Sequence, residues 1–184
     1  MCELLVKTRH HVLSGSGRVP NELMFVGEAP GSMEDREGRV FVGKAGQMLN
    51  RCLREVGIDR KDVYVTNVLR CRPVDDEGRN RIPSDQEILN CTVRWLWDEI
   101  VDVNPLVICT LGTTASRALT STARRSRLGN IPYVAIKGWR GPVYKTWHPA
   151  AMFHTPHLVE FFINDLNIVK ELVEKRKERR EEGI

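Results

Sequence analysis

Apolar and polar positions alternate along this chain in blocks of two kinds. The runs "LMFV" (23 to 26), "DVYVTNVLRC" (62 to 71) and "PLVICTLG" (105 to 112) are short and rich in β-branched or aromatic residues. They predict buried strands, the third covered on both faces as in a parallel sheet. Between them, residues 44 to 56 place Ala45, Met48, Leu49, Cys52, Leu53 and Val56 on one face of a helix, and Gly57 suits a left-handed cap. Ser84 and Glu87 form a capping box that starts a helix at about residue 85, and "TTASRAL" predicts another after the third strand. The stretch 133 to 149 reads as two strand-like pieces around a Gly-Trp-Arg-Gly turn. A last helix runs from about Pro156, burying Leu158, Phe161, Phe162, Leu166, Val169 and Val173.

Strands alternating with helices predict an α/β domain with a mainly parallel sheet and helices on both faces. Ligands of such sheets bind beyond the carboxyl ends of the strands. That rule selects the loop after "MFV", the end of "VYVTNV", the glycine after "VICTL" and "HPAAMF" after "VYKTW". With 184 residues a single domain is expected, 1 to 184, ending in a charged helical tail at about 174 to 184.

Composition narrows the class only a little. The chain is 41% hydrophobic and 28% charged, and no apolar run nears the roughly 18 residues of a membrane span. The N-terminus lacks the pattern of a secretory signal, so a cytoplasmic location and no membrane partner are expected. Five cysteines, an odd number, point to buried thiols or metal ligands rather than a disulfide framework. The net charge of +4 permits a polyanionic partner without requiring one.

The strand-end positions carry the chemistry. In "GEAPGSMED" (27 to 35), Gly27 and Gly31 allow close backbone approach, Pro30 stiffens the turn, and Glu28, Glu34 and Asp35 add acceptors. A plain strand-to-helix connection with solvated acids would look the same. Phe41 lies in an apolar loop where its ring could stack on a planar ligand or pack in the core. Asn67 ends a strand, where an amide offers the donor and acceptor that a base edge complements, or bonds to neighbouring backbone. His148 ends the final strand before Pro149, and Met152 and Phe153 follow in a loop, suited either to a wedge in a base stack or to burial.

Taken in order and spacing, "GEAPGSMED", "GRVFVGKAGQML", "DVYVTNVLRCRP" and "WHPAAMF" resemble the uracil-DNA glycosylase superfamily, specifically its family 4 iron-sulfur members. The resemblance spans about residues 5 to 170. It implies a three-layer α/β/α sandwich with a central, mainly parallel four-stranded sheet, and an enzyme that flips uracil out of DNA and hydrolyses its glycosidic bond. Phe41 would stack on the base, Asn67 would read its polar edge, and Gly27 and Ala29 would line the pocket. His148 would donate to uracil O2, while Glu28 and Glu34 would position water and offset sugar charge, the division between them left open. Met152 and Phe153 would form the DNA wedge, with His154 where an arginine is common. A monomer acting on single- and double-stranded uracil-containing DNA is implied.

The resemblance also implies a 4Fe-4S cluster. The family pattern has a C-x-x-C near the N-terminus, one cysteine after the TNV strand and one early in the next helix. Cys71 and Cys91 match the last two, across a longer intervening segment, and Cys2 supplies only one of the first pair because Leu5 stands where its partner would be. A ligand ahead of this sequence, a fourth ligand that is not cysteine, or no stable cluster each accommodate this. Cys52 and Cys109 read as small core residues. Rival functions are a relative excising other deaminated bases, a non-catalytic nucleic-acid or nucleotide-binding module, and an iron-sulfur electron carrier. A relative that links covalently to the abasic sugar through a loop histidine fits poorly, since 120 to 131 has none. Its Arg124, Arg125 and Arg127 suit phosphate contacts or a solvated loop.

Overall fold

A computed structural model describes residues 5–120, 124–128 and 131–183. Strands β1 (Leu23–Gly27), β2 (Tyr64–Asn67), β3 (Val107–Leu111) and β6 (Trp139–Thr146) run parallel, in the order β2-β1-β3-β6. Their carboxyl ends therefore share one edge, and the β1–β2 register places Gly27 opposite Asn67. The four strands that the resemblance implies form one side of a wider sheet, with β2 at its edge. β5 (Ile131–Ile136) folds back antiparallel on β6, and β4 (Arg124–Leu128) pairs antiparallel with β5, making six strands. The basic segment around Arg124 is thus an edge strand in its backbone, not a loop.

Helices α1 (Ser32–Glu37), α2 (Lys44–Glu55), α3 (Asp85–Cys91), α4 (Trp97–Val103), α5 (Thr113–Thr120) and α6 (Leu158–Glu181) cover the sheet. Strand side chains alternate between two cores. Leu23, Phe25, Val107, Cys109 and Leu111 pack with Leu49 and Leu53 of α2 and Phe162, Leu166 and Val169 of α6. Met24, Val26, Ile108 and Val143 face Leu96, Ile100 and Val103, with Ala115 and Leu119 of α5. Two cores divided by one sheet make the three-layer sandwich. Burying a side chain such as Phe25 or Phe162, both 0% exposed, stabilises by about 1.5–3 kcal/mol.

Local signals in the sequence set several boundaries. The Ser84 hydroxyl accepts from the Glu87 amide and the Glu87 carboxylate from the Ser84 amide, completing the capping box of α3. A π-helical turn, Thr92–Leu96, joins α3 to α4, which ends at a left-handed Asn104. Two expectations shift. The hairpin turn lies at Lys137 and Gly138, both with positive φ, because Trp139 buries its ring and donates from Nε1 to the Pro105 carbonyl at 2.8 Å. Phe161 is 59% exposed, since the buried stripe of α6 runs through Leu158, Phe162, Leu166, Val169 and Val173. No helix among the described residues is long and apolar enough to cross a membrane.

Candidate active site

The carboxyl ends of β1, β2, β3 and β6 open into a cavity of about 670 Å³. Glu28, Ala29, Glu34, Phe41, Asn67 and His148 all line it, so residues up to 120 positions apart in sequence converge. Gly27 lies just beneath. A side chain there would run into Asn67 Oδ1 and come within 2.7 Å of the Phe41 ring, so the bare backbone is what lets those two groups meet. Phe41 itself has a positive φ of 55° and is 8% exposed. Its carbonyl lies where a Cβ on Gly46 would sit, so that glycine lets α2 pack against the Phe41 loop.

Asn67 is 5% exposed, yet its side-chain amide has no hydrogen-bond partner among the described residues. A nearly buried amide left unpaired in a cavity wall is costly unless a ligand completes it. His148 differs: the Ala150 amide donates to its Nδ1 at 3.2 Å, which puts the proton of the neutral ring on Nε2. Burial pushes the imidazole below its ordinary 6.5, against the opposing pull of Glu28 and Glu34, so the ring is neutral at pH 7. A neutral Nε2–H is a hydrogen-bond donor that brings no net charge of its own.

Both carboxylates are anchored through one oxygen. Glu28 Oε2 accepts from the Thr114 hydroxyl at 2.5 Å, and Glu34 Oε1 accepts from the Gly43 amide at 2.7 Å, at the N-terminus of α2. The second oxygen of each has no hydrogen bond among the described residues, which leaves it to the cavity. The chemistry on offer is a flat slot, an amide edge, a neutral donor and two acceptors.

The match to the family is then direct. The family model described as "Uracil DNA glycosylase superfamily" covers residues 15–170. The chain belongs to the uracil-DNA glycosylase superfamily. It is 36% identical over 179 residues to the type-4 uracil-DNA glycosylase of Saccharolobus solfataricus, covering 94% of this chain and 81% of that protein. It is 34% identical over 185 residues to the Archaeoglobus fulgidus type-4 enzyme, covering 94% and 87%. The Thermotoga maritima type-4 enzyme shares 34% identity over 175 residues, covering 91% and 85%.

The expected wedge divides. Met152 is 2% exposed and belongs to the α2/α6 core, so it cannot enter a base stack, whereas Phe153 beside it is 45% exposed. The reason is the turn Pro149–Phe153, a 3-10 helix of about three residues per turn that sends neighbouring side chains about 120° apart, Met152 inward and Phe153 outward. Sequence reading passes over Thr114, Asn80 and Arg81, which also belong to the cavity surroundings. Arg81 is held by Glu87 at 2.8 and 2.6 Å, a pairing that only the folded loop reveals.

The cysteines sort by layer. Cys52 and Cys109 are buried in the α2/α6 core, where burial pushes both thiols up, Cys109 well above 9.0, and neither suits a thiolate ligand. Cys71 and Cys91 share the opposite core with Leu5, and Arg9 Nη1 donates to Cys71 Sγ at 3.3 Å. Both cysteines are soft sulfur donors of the kind that iron-sulfur clusters take. Cys2 lies outside the described residues. Among the described residues no group of three or more histidine, cysteine or acidic side chains is arranged to hold a metal ion.

Proposed function

We propose that this protein is a DNA repair glycosylase that hydrolyses the N-glycosidic bond of uracil in DNA, leaving an abasic site. The convergence of Phe41, Asn67, His148, Glu28 and Glu34 on one cavity carries this reading, together with relatives named type-4 uracil-DNA glycosylase. The cavity can admit a base only after it leaves the duplex stack, or from a single strand.

In that cavity the Phe41 ring stacks on uracil, and the Asn67 amide pairs with its carbonyl and imide edge. Cytosine presents a donor where uracil presents an acceptor, so it leaves groups wrongly paired. As the glycosidic bond breaks, negative charge grows on the base, and Nε2–H of His148 donates to uracil O2. A donor aimed at charge that develops only in the transition state lowers the barrier rather than tightening ground-state binding. The unshared oxygens of Glu28 and Glu34 orient the attacking water and offset the cationic sugar. Phe153 fills the gap left in the stack, with Met152 as its buried footing. DNA in single- and double-stranded form is the substrate, and the protein acts as a monomer.

Cys71, Cys91 and Cys2 would hold a 4Fe-4S cluster with a fourth ligand. The cluster would supply a structural tie between the loop after β2 and α3, since hydrolysis of a glycosidic bond transfers no electrons. Uracil release from a labelled oligonucleotide, read as alkali-sensitive abasic sites, tests the main reading. Bound DNA without abasic sites would instead favour a non-catalytic module. Cys91→Ser is expected to lower iron content and visible absorption, and a wild-type protein purified without iron yet fully active would remove the cluster from the account.

A further inference from the structure

Helix α1 spans only Ser32–Glu37, and its N-cap, Gly31, makes no side-chain bond. A helix that short does not hold itself in water. It is gripped from two sides. On one side Glu34 reaches the Gly43 amide. On the other, Asp35, 1% exposed, meets the N-terminal segment at a pair of adjacent histidines. The backbone amides of His10 and His11 donate to Asp35 Oδ1 at 3.0 and 3.2 Å, and the His10 ring donates from Nδ1 to Oδ2 at 2.7 Å. The His11 ring donates from Nδ1 to the Asp35 carbonyl at 2.5 Å. The segment carrying the histidines is itself pinned at both ends, by Arg9 on Cys71 and by the Leu13 amide on the Arg70 carbonyl at 2.8 Å.

Four contacts on one buried residue exceed what covering a surface turn requires, and the catalytic reading uses none of them. Asp35 and Glu34 are neighbours on a single helical turn, so any rotation of α1 that releases one displaces the other. We propose that Asp35, clamped by His10 and His11, is a positioning residue that fixes α1 in the orientation where Glu34 faces the cavity. The proposal rests on the reading that Glu34 acts in uracil release.

The test is a double-mutant cycle on uracil release at saturating DNA, with DNA affinity and thermal midpoint measured alongside. Asp35→Asn is expected to slow turnover roughly 10- to 100-fold, as misplacement of a reacting group does, while leaving DNA affinity within about 3-fold, since binding contacts are made elsewhere. In the Glu34→Gln background the same substitution is expected to add little, because both remove one function. Equal loss in both backgrounds, or full turnover in folded Asp35→Asn, would overturn the proposal. Glu34→Gln alone with unchanged turnover would overturn the Glu34 reading instead, and it is measured with Asp35 intact. Should Asp35→Asn not fold, the exposed His10 carries the test. His10→Ala is expected to slow turnover and His10→Asn, whose amide can donate where Nδ1 does, to restore it. No loss in His10→Ala, or no recovery in His10→Asn, overturns the clamp.

Discussion

The sheet has a cleft at each end, of similar size, and they differ in how their polar groups are used. The cleft at the amino ends, about 570 Å³, is lined by Arg18, Glu22, Asp59, Lys170 and Lys177 among others. Several of its polar groups are engaged: Lys177 meets Glu22 at 2.7 Å, Asp59 meets the neighbouring Lys61 at 3.2 Å, and Lys170 donates to the Val56 carbonyl at 3.0 Å. At the carboxyl ends, among the described residues, the Asn67 amide has no hydrogen-bond partner, His148 is held neutral by burial, and Glu28 and Glu34 each use only one oxygen. Volume and charge count therefore do not mark a site. Hydrogen-bonding capacity left unspent by several groups on one cavity wall does, because the fold bears its desolvation cost and a ligand entering that cavity repays it.

The largest test of this contrast is His148→Ala, expected to lower kcat about 10²- to 10³-fold, the loss seen when an anion-stabilising donor is removed. Single-turnover uracil release measures it, and an unchanged rate would strip the carboxyl-end cleft of its principal donor. Asn67→Ala should cost about 1–3 kcal/mol in kcat/KM for uracil. Asn67→Asp should reverse the preference, because a carboxylate accepts from the cytosine amino group and repels the uracil carbonyl. Assaying both bases in matched oligonucleotides decides whether Asn67 reads the edge.

A third test uses pH. The folded His148 binds its proton below 6.5, whereas the unfolded chain binds one as pH falls through 6.5, so stability attributable to His148 declines from there downward until the folded ring also titrates. Thermal melts of wild type and His148→Ala from about pH 5 to 8 should diverge on the acid side only, the wild type losing more. The smallest effect belongs to the other cleft. Lys177→Ala should leave uracil release unchanged and cost about 0.2–1 kcal/mol of stability, as half-exposed ion pairs do. A large loss of turnover there would erase the distinction between the two ends.

Much of this was legible in one dimension. The alternating blocks specify the α/β layering, and Ser84 with Glu87 marks a helix start because a capping box is a contact across three residues. Strand ends point to the site because parallel strands share one edge. What escaped has a common cause. Phe161 and Phe162 are chemically equivalent neighbours on α6, and only the packing of α6 against the sheet buries one and exposes the other. Met152 and Phe153 part in the same way. The turn moves to Lys137 and Gly138 because Trp139 finds the Pro105 carbonyl 34 positions away.

By itself the sequence determined the class of fold, the order of its elements, and the residue types at the strand ends, since periodicity, capping and turn chemistry act over a few residues. Only the tertiary structure decided which of those groups stay unpaired, which oxygen of Glu34 is spent on Gly43, and that two histidines near the N-terminus clamp Asp35. Such facts depend on the directions of side chains from distant segments, and those directions exist only once both cores have packed.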